Sequence, residues 1–321
     1  MPELPRNIYE QQNANKRNTV FIMFLFALFL GFIGWGADMY FLGFGNDGFP
    51  FPVITVAALL FGGWNGYWSL EQGASMVLSS AGAFPVPDTD PQYQVLRNVV
   101  EEMSIASGLP KPAVFIIPDS DPNAFATGKD PDHASIAVTK GLVETLNREE
   151  LQGVIAHEIS HIRNYDIRMM TVVASLIGAV MLISEISLRS GRYGKVRKSS
   201  SSKDDGGGFI ILVLWLVTII LAPIVARILA MAVSRQREYF ADASGAELTR
   251  NPRALAAALQ KISAAVEPTL SIKKGTAHLC VADPLGSKIN NKEGFFAELF
   301  GTHPPIQKRI TLLRAMAYRF E

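Results

Sequence analysis

The chain has 321 residues, 49% of them hydrophobic, and a formal net charge of +1. That apolar content is high for a water-soluble enzyme, and the near-zero net charge offers no general electrostatic case for nucleic-acid binding, which normally uses a concentrated basic face. The single cysteine, Cys280, cannot close an intramolecular disulfide, which excludes a disulfide scaffold and a Cys-rich zinc site and leaves Cys280 as a small buried residue.

Four uncharged runs approach the roughly 20 residues that a helix needs to cross a bilayer. They are Asn18 to Ala37, Gly48 to Leu70, Met169 to Ser184 and Gly206 to Ala226. The first is too long for a signal-peptide core and lacks a small-x-small cleavage pattern after it, so it reads as a retained anchor. The second carries Pro50 and Pro52 at its start and Trp64 and Trp68 near its end, which suits passage through two interfaces. The third is short unless it extends to Leu188, and the fourth contains Pro223, which membrane helices tolerate. For these two the alternative is a buried helix of a soluble domain. The expected organisation is an N-terminal segment (1–17), a two-helix anchor (18–70), a first catalytic part (71–168), a second hairpin (169–226) around a basic loop (189–205), and a second catalytic part (227–321).

Past the anchor, a Pro-rich linker from Phe84 to Pro91 leads into a helical pattern with Val95, Leu96, Val99, Val100 and Met103 on one face, stopped by Gly108 and Pro110. Short strand-type segments follow at Ala113 to Ile117, Asn123 to Thr127 and Ser135 to Thr139, separated by Asp, Pro and Gly. A second helix opens at Asn147, with Glu150 completing a capping box. A long helix is expected from Arg227 to Leu248, and another where Asn251 caps Pro252. The fold class is therefore mainly α with a small β-sheet.

The second helix contains His157-Glu158-Ile159-Ser160-His161, an H-E-x-x-H pattern. At about 100° per residue, histidines four apart share a helix face and can share a metal. A catalytic zinc needs a third protein ligand and one open position, and Glu238 in Ser234 to Asp242 is the best candidate. Asp242, one turn later, is placed to accept the second ring proton of a ligand histidine. The alternative for Glu238 and Asp242 is an ordinary surface ion pair with a neighbouring arginine. Glu158 points to a different side of the helix. It is placed to take a proton from a zinc-activated water and hand it to the leaving amine. One Zn2+ per chain is expected, because availability and a two-His, one-Glu set favour zinc over cobalt or manganese.

These motifs resemble the gluzincin peptidases, the family that includes the bacterial heat-shock membrane protease HtpX and the eukaryotic CAAX prenyl protease. The resemblance runs from about Asn123 to Arg314 through Asn123 to Gly128, Val154 to His161, Ser234 to Asp242 and Thr302-His303-Pro304-Pro305 with Arg309-Ile310. It implies a zincin-like metallopeptidase domain with about four transmembrane helices, the HtpX branch being the closer. It also implies a bacterial inner-membrane endopeptidase with a cytoplasmic catalytic domain that takes part in quality control of membrane proteins. Residues matching Asn123, His303 and Arg309 in such enzymes contact substrate backbone or the developing oxyanion; as residues alone, Asn123 also reads as a turn cap and His303 as a loop histidine. His133 and His278 lack motif partners and read as ordinary polar residues.

His161 and Glu238 must meet at one metal, so the chain between them crosses the membrane an even number of times. The short loop Asp38 to Asp47 has no Lys or Arg, which places it outside and the catalytic domain inside. The basic residues from Arg189 to Lys203 violate that rule if the second hairpin crosses fully. A re-entrant pair against anionic headgroups is the alternative. Expected partners are protein or peptide substrates, membrane proteins among them, and the bilayer itself. A free edge of the Asn123 to Thr127 or Ser135 to Val138 strand could take extended substrate by strand addition. A CAAX-type processing enzyme and a non-catalytic metal-binding scaffold are the rival readings.

Overall fold

Helices α1 (Ile8–Phe41) and α2 (Val53–Ser80) run antiparallel and in contact along much of their length. They belong to a computed structural model that describes residues 8–41, 51–87, 89–178, 235–264, 279–281 and 304–317. Pro52 sets the start of α2, but it cannot cap the first turn. The cap comes from the other helix: the Asp38 carboxylate accepts from the backbone N–H groups of Ile54 (2.8 Å) and Thr55 (2.7 Å) and from the Thr55 hydroxyl (2.6 Å). Gly34, one turn before Asp38, makes this approach feasible. A Cβ there would lie 2.8 Å from the Thr55 Cα and 2.9 Å from the Ile54 carbonyl. Close backbone contact at small residues is how apolar helices associate without a hydrophobic driving force between them.

Large apolar side chains cover the outside of this hairpin, among them Phe21, Phe24 and Phe32 on α1 and Leu60, Phe61 and Trp64 on α2. Among the described residues, one helix window, Tyr9–Gly36, is long and apolar enough to cross a membrane. Helix α2 does not end where the sequence turns polar. It continues through Glu71, which pairs with Lys129 at 2.5 Å, and so reaches the sheet-bearing part of the chain.

Strands β1 (Phe84–Pro85), β2 (Ala113–Ile117), β3 (Ala124–Gly128) and β4 (Ala134–Thr139) form one sheet in the order β1-β2-β4-β3. β2 and β4 are parallel, and the other pairs antiparallel. Three strands fall within a residue of the sequence expectation. Strand β4 lies between β2 and β3, which corrects the idea that it offers a free edge: all its backbone groups face neighbours. β3 is at one edge of the sheet, yet it is not bare. Phe125 pairs with Cys280, and the Val281 N–H donates to the Ala124 carbonyl at 3.0 Å.

Alternation along β3 and β4 divides the interior in two. Ala124, Ala126, Ile136 and Val138 face a core shared with α3 (Gln94–Ser107), α5 (Arg148–Arg163), α8 (Pro252–Ala264) and α9 (Ile306–Ala317). Phe125 and Ala137 face a second core built with Ile22 and Phe26 of α1, Val77 and Leu78 of α2, and helix α6 (166–178). Between β4 and α5 lies the short helix α4 (Lys140–Thr145), and α7 spans Arg235–Thr249. The described part of the third apolar run is thus packed inside protein from Met169 to Ile177. The fourth run, 206–226, lies outside the described residues.

Terminal signals were legible and physical. Helix α3 stops at Gly108, whose φ of 70° only glycine adopts cheaply. Helix α5 has the full capping box, Asn147 Oδ1 accepting from Glu150 N and Glu150 Oε2 from Asn147 N, both at 2.9 Å. Asn251 caps α8 through the Ala254 N–H at 3.1 Å. A Gly34→Val substitution is expected to force α1 and α2 apart and break the Asp38 cap, lowering the thermal unfolding midpoint in detergent by several degrees. Gly63→Ala, at a position with no atom within 4 Å of the added Cβ, serves as the neutral control.

Candidate metal centre

Helix α5 presents His157 and His161 from one face, their rings perpendicular (89°) and their Nε2 atoms 3.3 Å apart. Glu238 arrives from α7 with one carboxylate oxygen 3.7 Å from His157 Nε2 and the other 3.6 Å from His161 Nε2. These donors fit zinc. Two nitrogens each about 2.0–2.1 Å from a tetrahedral ion lie about 3.3 Å apart, and one ligating atom from each of the three residues falls within 4.8 Å of the others. All three side chains are buried.

Their meeting depends on Gly245. A Cβ there would lie 3.0 Å from the His157 nitrogen and 3.2 Å from its Cα, so α7 rests directly on the backbone of the first histidine. Gly153 does the same for α8, where a Cβ would sit 3.0 Å from Leu255 Cα.

Each histidine has its own carboxylate behind it. His157 Nδ1 is 3.0 Å from Asp242 Oδ1, and His161 Nδ1 is 3.0 Å from Asp166 Oδ2. A proton on each Nδ1, donated to these carboxylates, leaves both Nε2 lone pairs aimed at the shared point. Asp166 was passed over in the sequence. It lies beyond the end of α5, after Tyr165, whose φ of 58° turns the chain back toward His161. The signal that could have found it is chemical: a second ligand histidine needs a second acceptor.

Arg309 is buried on α9 and grips Asp242 with two bonds, Nε to Oδ2 at 2.8 Å and Nη2 to Oδ1 at 2.7 Å. Its Nη1 donates to the Val281 carbonyl at 2.7 Å and lies 3.2 Å from Glu238. Its donors therefore serve the ligand frame. Asn123 is buried at the start of β3, its backbone tied to Thr139 and its side-chain oxygen accepting the Ala124 N–H at 3.0 Å. His303 and His278 lie outside the described residues. His133 is exposed and paired with Asp130.

Glu158 is buried beside these three side chains, and neither of its oxygens makes a well-formed hydrogen bond, although the Ala126 N–H lies close to it. Burial pushes its carboxyl up to about 7; the positive fields of His161 and Arg309 and the neighbouring Ala126 N–H hold it back, while Glu238 adds to the rise. Burial also disfavours a charged His161, but the Asp166 hydrogen bond and the charges of Glu238, Asp166 and Glu158 outweigh it and bring the ring up to about 9. For His157 burial wins, aided by Arg309, and its pKa is lowered. A carboxyl near neutrality is suited to giving and taking protons.

A histidine pair one turn apart and a carboxylate from a second helix form a group that could hold a metal ion, with a protonatable glutamate beside them, as a zinc metallopeptidase requires. Peptidase family M48 matches residues 91–317, and the chain belongs to that family. The protein named protease HtpX homolog of Thermoanaerobacter pseudethanolicus is 43% identical over 97% of this chain and 98% of its own. That of Ligilactobacillus salivarius is 40% identical over 96% and 100%. The crystal structure of S. mikatae Ste24p shares the fold, with a TM-score of 0.50 at 19% identity, covering 95% of this chain and 66% of that one. The chain is a membrane zinc metalloprotease.

Gly245→Val should lift α7 from α5 and move Glu238 out of ligand range. Zinc content of the purified protein is expected to fall well below one per chain, with the fold retained by circular dichroism.

Proposed function

We propose that this enzyme is an endopeptidase of the bacterial plasma membrane, with its catalytic domain in the cytoplasm, that cuts misfolded or membrane-embedded proteins as part of proteolytic quality control. The observation that carries the assignment of roles is the convergence of His157, His161 and Glu238 around one point with Glu158 unbonded beside it. His157, His161 and Glu238 hold the metal. When bound, zinc supplies electrophilic polarisation of the scissile carbonyl and acidifies water. Glu158 takes a proton from the attacking water and delivers it to the leaving amine, for which its buried, unbonded carboxyl is prepared. Asp242 and Asp166 hold the ring tautomers, and Arg309 holds Asp242.

Substrate is read as lying along β3, whose Ala126 N–H neighbours Glu158. Residues 279–281 occupy part of that edge at Ala124 and Phe125. Asn123 orients the start of the strand, and a substrate contact by His303 completes the set that the resemblance implies.

The membrane arrangement proposed has two hairpins, α1 with α2 and, from the sequence alone, the third run with the fourth; the described part of the third run, Met169 to Ile177, is buried against protein. Both ends of the first hairpin touch the catalytic domain, α1 at Arg163 through Gln12 and α2 at Lys129 through Glu71, which supports an even number of crossings. Lys16 and Arg17 then lie on the catalytic side, and the loop without Lys or Arg lies on the other.

Cleavage of casein by detergent-purified, zinc-loaded protein, beside Glu158→Gln, tests the roles. Wild type is expected to cut, and the variant to hold the same one zinc while losing activity by about 10² to 10⁴-fold, the usual worth of general acid–base catalysis. Loss of zinc in Glu158→Gln contradicts the base assignment. Zinc in both with cleavage by neither favours a narrow processing specificity or a scaffold.

A further inference from the structure

We propose that the membrane anchor completes the metal site: Asn15 of α1 is a positioning residue that fixes Asp166, and through it the imidazole of His161. The Asn15 amide nitrogen has two N–H groups, and both are used. One donates to the Asn164 carbonyl at 2.8 Å, the other to Asp166 Oδ1 at 2.7 Å. Asp166 thus divides its oxygens, Oδ1 to Asn15 and Oδ2 to His161 Nδ1 at 3.0 Å. Asn15, Asn164 and Asp166 are all nearly inaccessible, so water cannot replace a lost bond.

The turn that carries Asp166 depends on the same contact. Tyr165 holds a positive φ of 58°, a conformation that a bulky residue keeps only when its surroundings hold it there. α1 supplies that hold. Gln12 Nε2 donates to the Arg163 carbonyl at 2.7 Å, Asn15 to that of Asn164, and the Lys16 ammonium sits 4.0 Å over the Tyr165 ring. Three consecutive residues at the end of α5 are therefore held from α1, and only the Asn15 contact continues to the metal ligand. Without it Oδ1 is left with the ion pair to Arg237 Nη1, which at 3.6 Å is longer than a hydrogen bond. The Asp166 carboxylate is then free to rotate, and the His161 ring loses its fixed orientation.

The consequence is a coupling between anchor and active site. A chain whose α1 is displaced from the α5 turn binds zinc less tightly, even though no residue of α1 touches the metal. This inference rests on the assignment of His161 as a ligand, and the test separates the two. Zinc dissociation constants by chelator competition and the visible spectrum of the Co2+-loaded protein are measured on the full chain in detergent, for wild type, Asn15→Leu, Asn15→Asp, Gln12→Leu, Asp166→Asn, His161→Ala and the Asn15→Leu/Asp166→Asn pair. Asn15→Leu and Asn15→Asp are expected to weaken zinc by about 3- to 10-fold, at or below the range for residues one bond from a ligand, and to shift the Co2+ bands. Gln12→Leu, which loosens the turn but removes no bond to Asp166, should weaken zinc less than Asn15→Leu does. Asn15→Leu should add nothing further in the Asp166→Asn background. Zinc binding by Asn15→Leu within twofold of wild type, equal losses in Asn15→Leu and Gln12→Leu, or additive losses in the pair each overturn the proposal. Should either Asn15 variant fail to fold, the other with the pair decides. Zinc retained in His161→Ala overturns the ligand assignment instead.

Discussion

Buried charge without compensation is the most costly thing a folded chain can contain, and this one gathers Glu158, Asp166, Glu238 and Asp242 with Arg237 and Arg309 in a single enclosed region. Among the described residues, four carboxylates face two guanidiniums, a formal excess of two negative charges. The upward shifts of Glu158 and His161 are the response of that anionic cavity: protons are drawn in. A divalent cation at the point shared by His157, His161 and Glu238 supplies the same two charges. Metal affinity and the protonation of the site are thus two expressions of one imbalance, and Arg309 keeps it from being larger.

The rest of the architecture serves to close helices on that region. Gly245 and Gly153 let α7 and α8 touch the backbone of α5, so that Glu238 reaches the histidines. The sheet closes the other side of α5 and brings the Ala126 N–H toward Glu158. Its opposite face carries the second core, where Ile22, Phe26, Val77 and Leu78 of the hairpin pack with α6. The catalytic domain and the anchor are consequently not separate bodies joined by a linker. The apolar surface that holds α1 and α2 near the sheet also sets where Asn15 arrives.

Much of this was legible in the sequence because it depends on neighbours along the chain. The capping box at Asn147, the stop at Gly108, the strands from Ala113 to Thr139 and the histidine pair each follow from spacing over a few residues. The placement of Asp242 behind His157 was also foreseeable, since a partner one turn from a ligand shares its face. Asp166 was not, because it lies past a helix end and returns only through the unusual φ of Tyr165. The expected free edge on β4 failed for a related reason: strand order β1-β2-β4-β3 depends on a crossover, and no local pattern encodes which strand is central.

By itself the sequence determined the local geometry: a 3.6-residue repeat puts His157 and His161 on one face whatever surrounds them, and Glu158 between them on another. The tertiary structure alone decided how the distant groups meet it, and it added Asn15, to which no sequence motif points. Glu238, Arg309 and Asn15 come from three helices, separated from α5 by scores of residues, and they meet it because the absence of a side chain at Gly245, the apolar cores and the folded hairpin bring those helices into contact. Such convergence is set by packing across the whole molecule, and no spacing within a single helix or strand contains it.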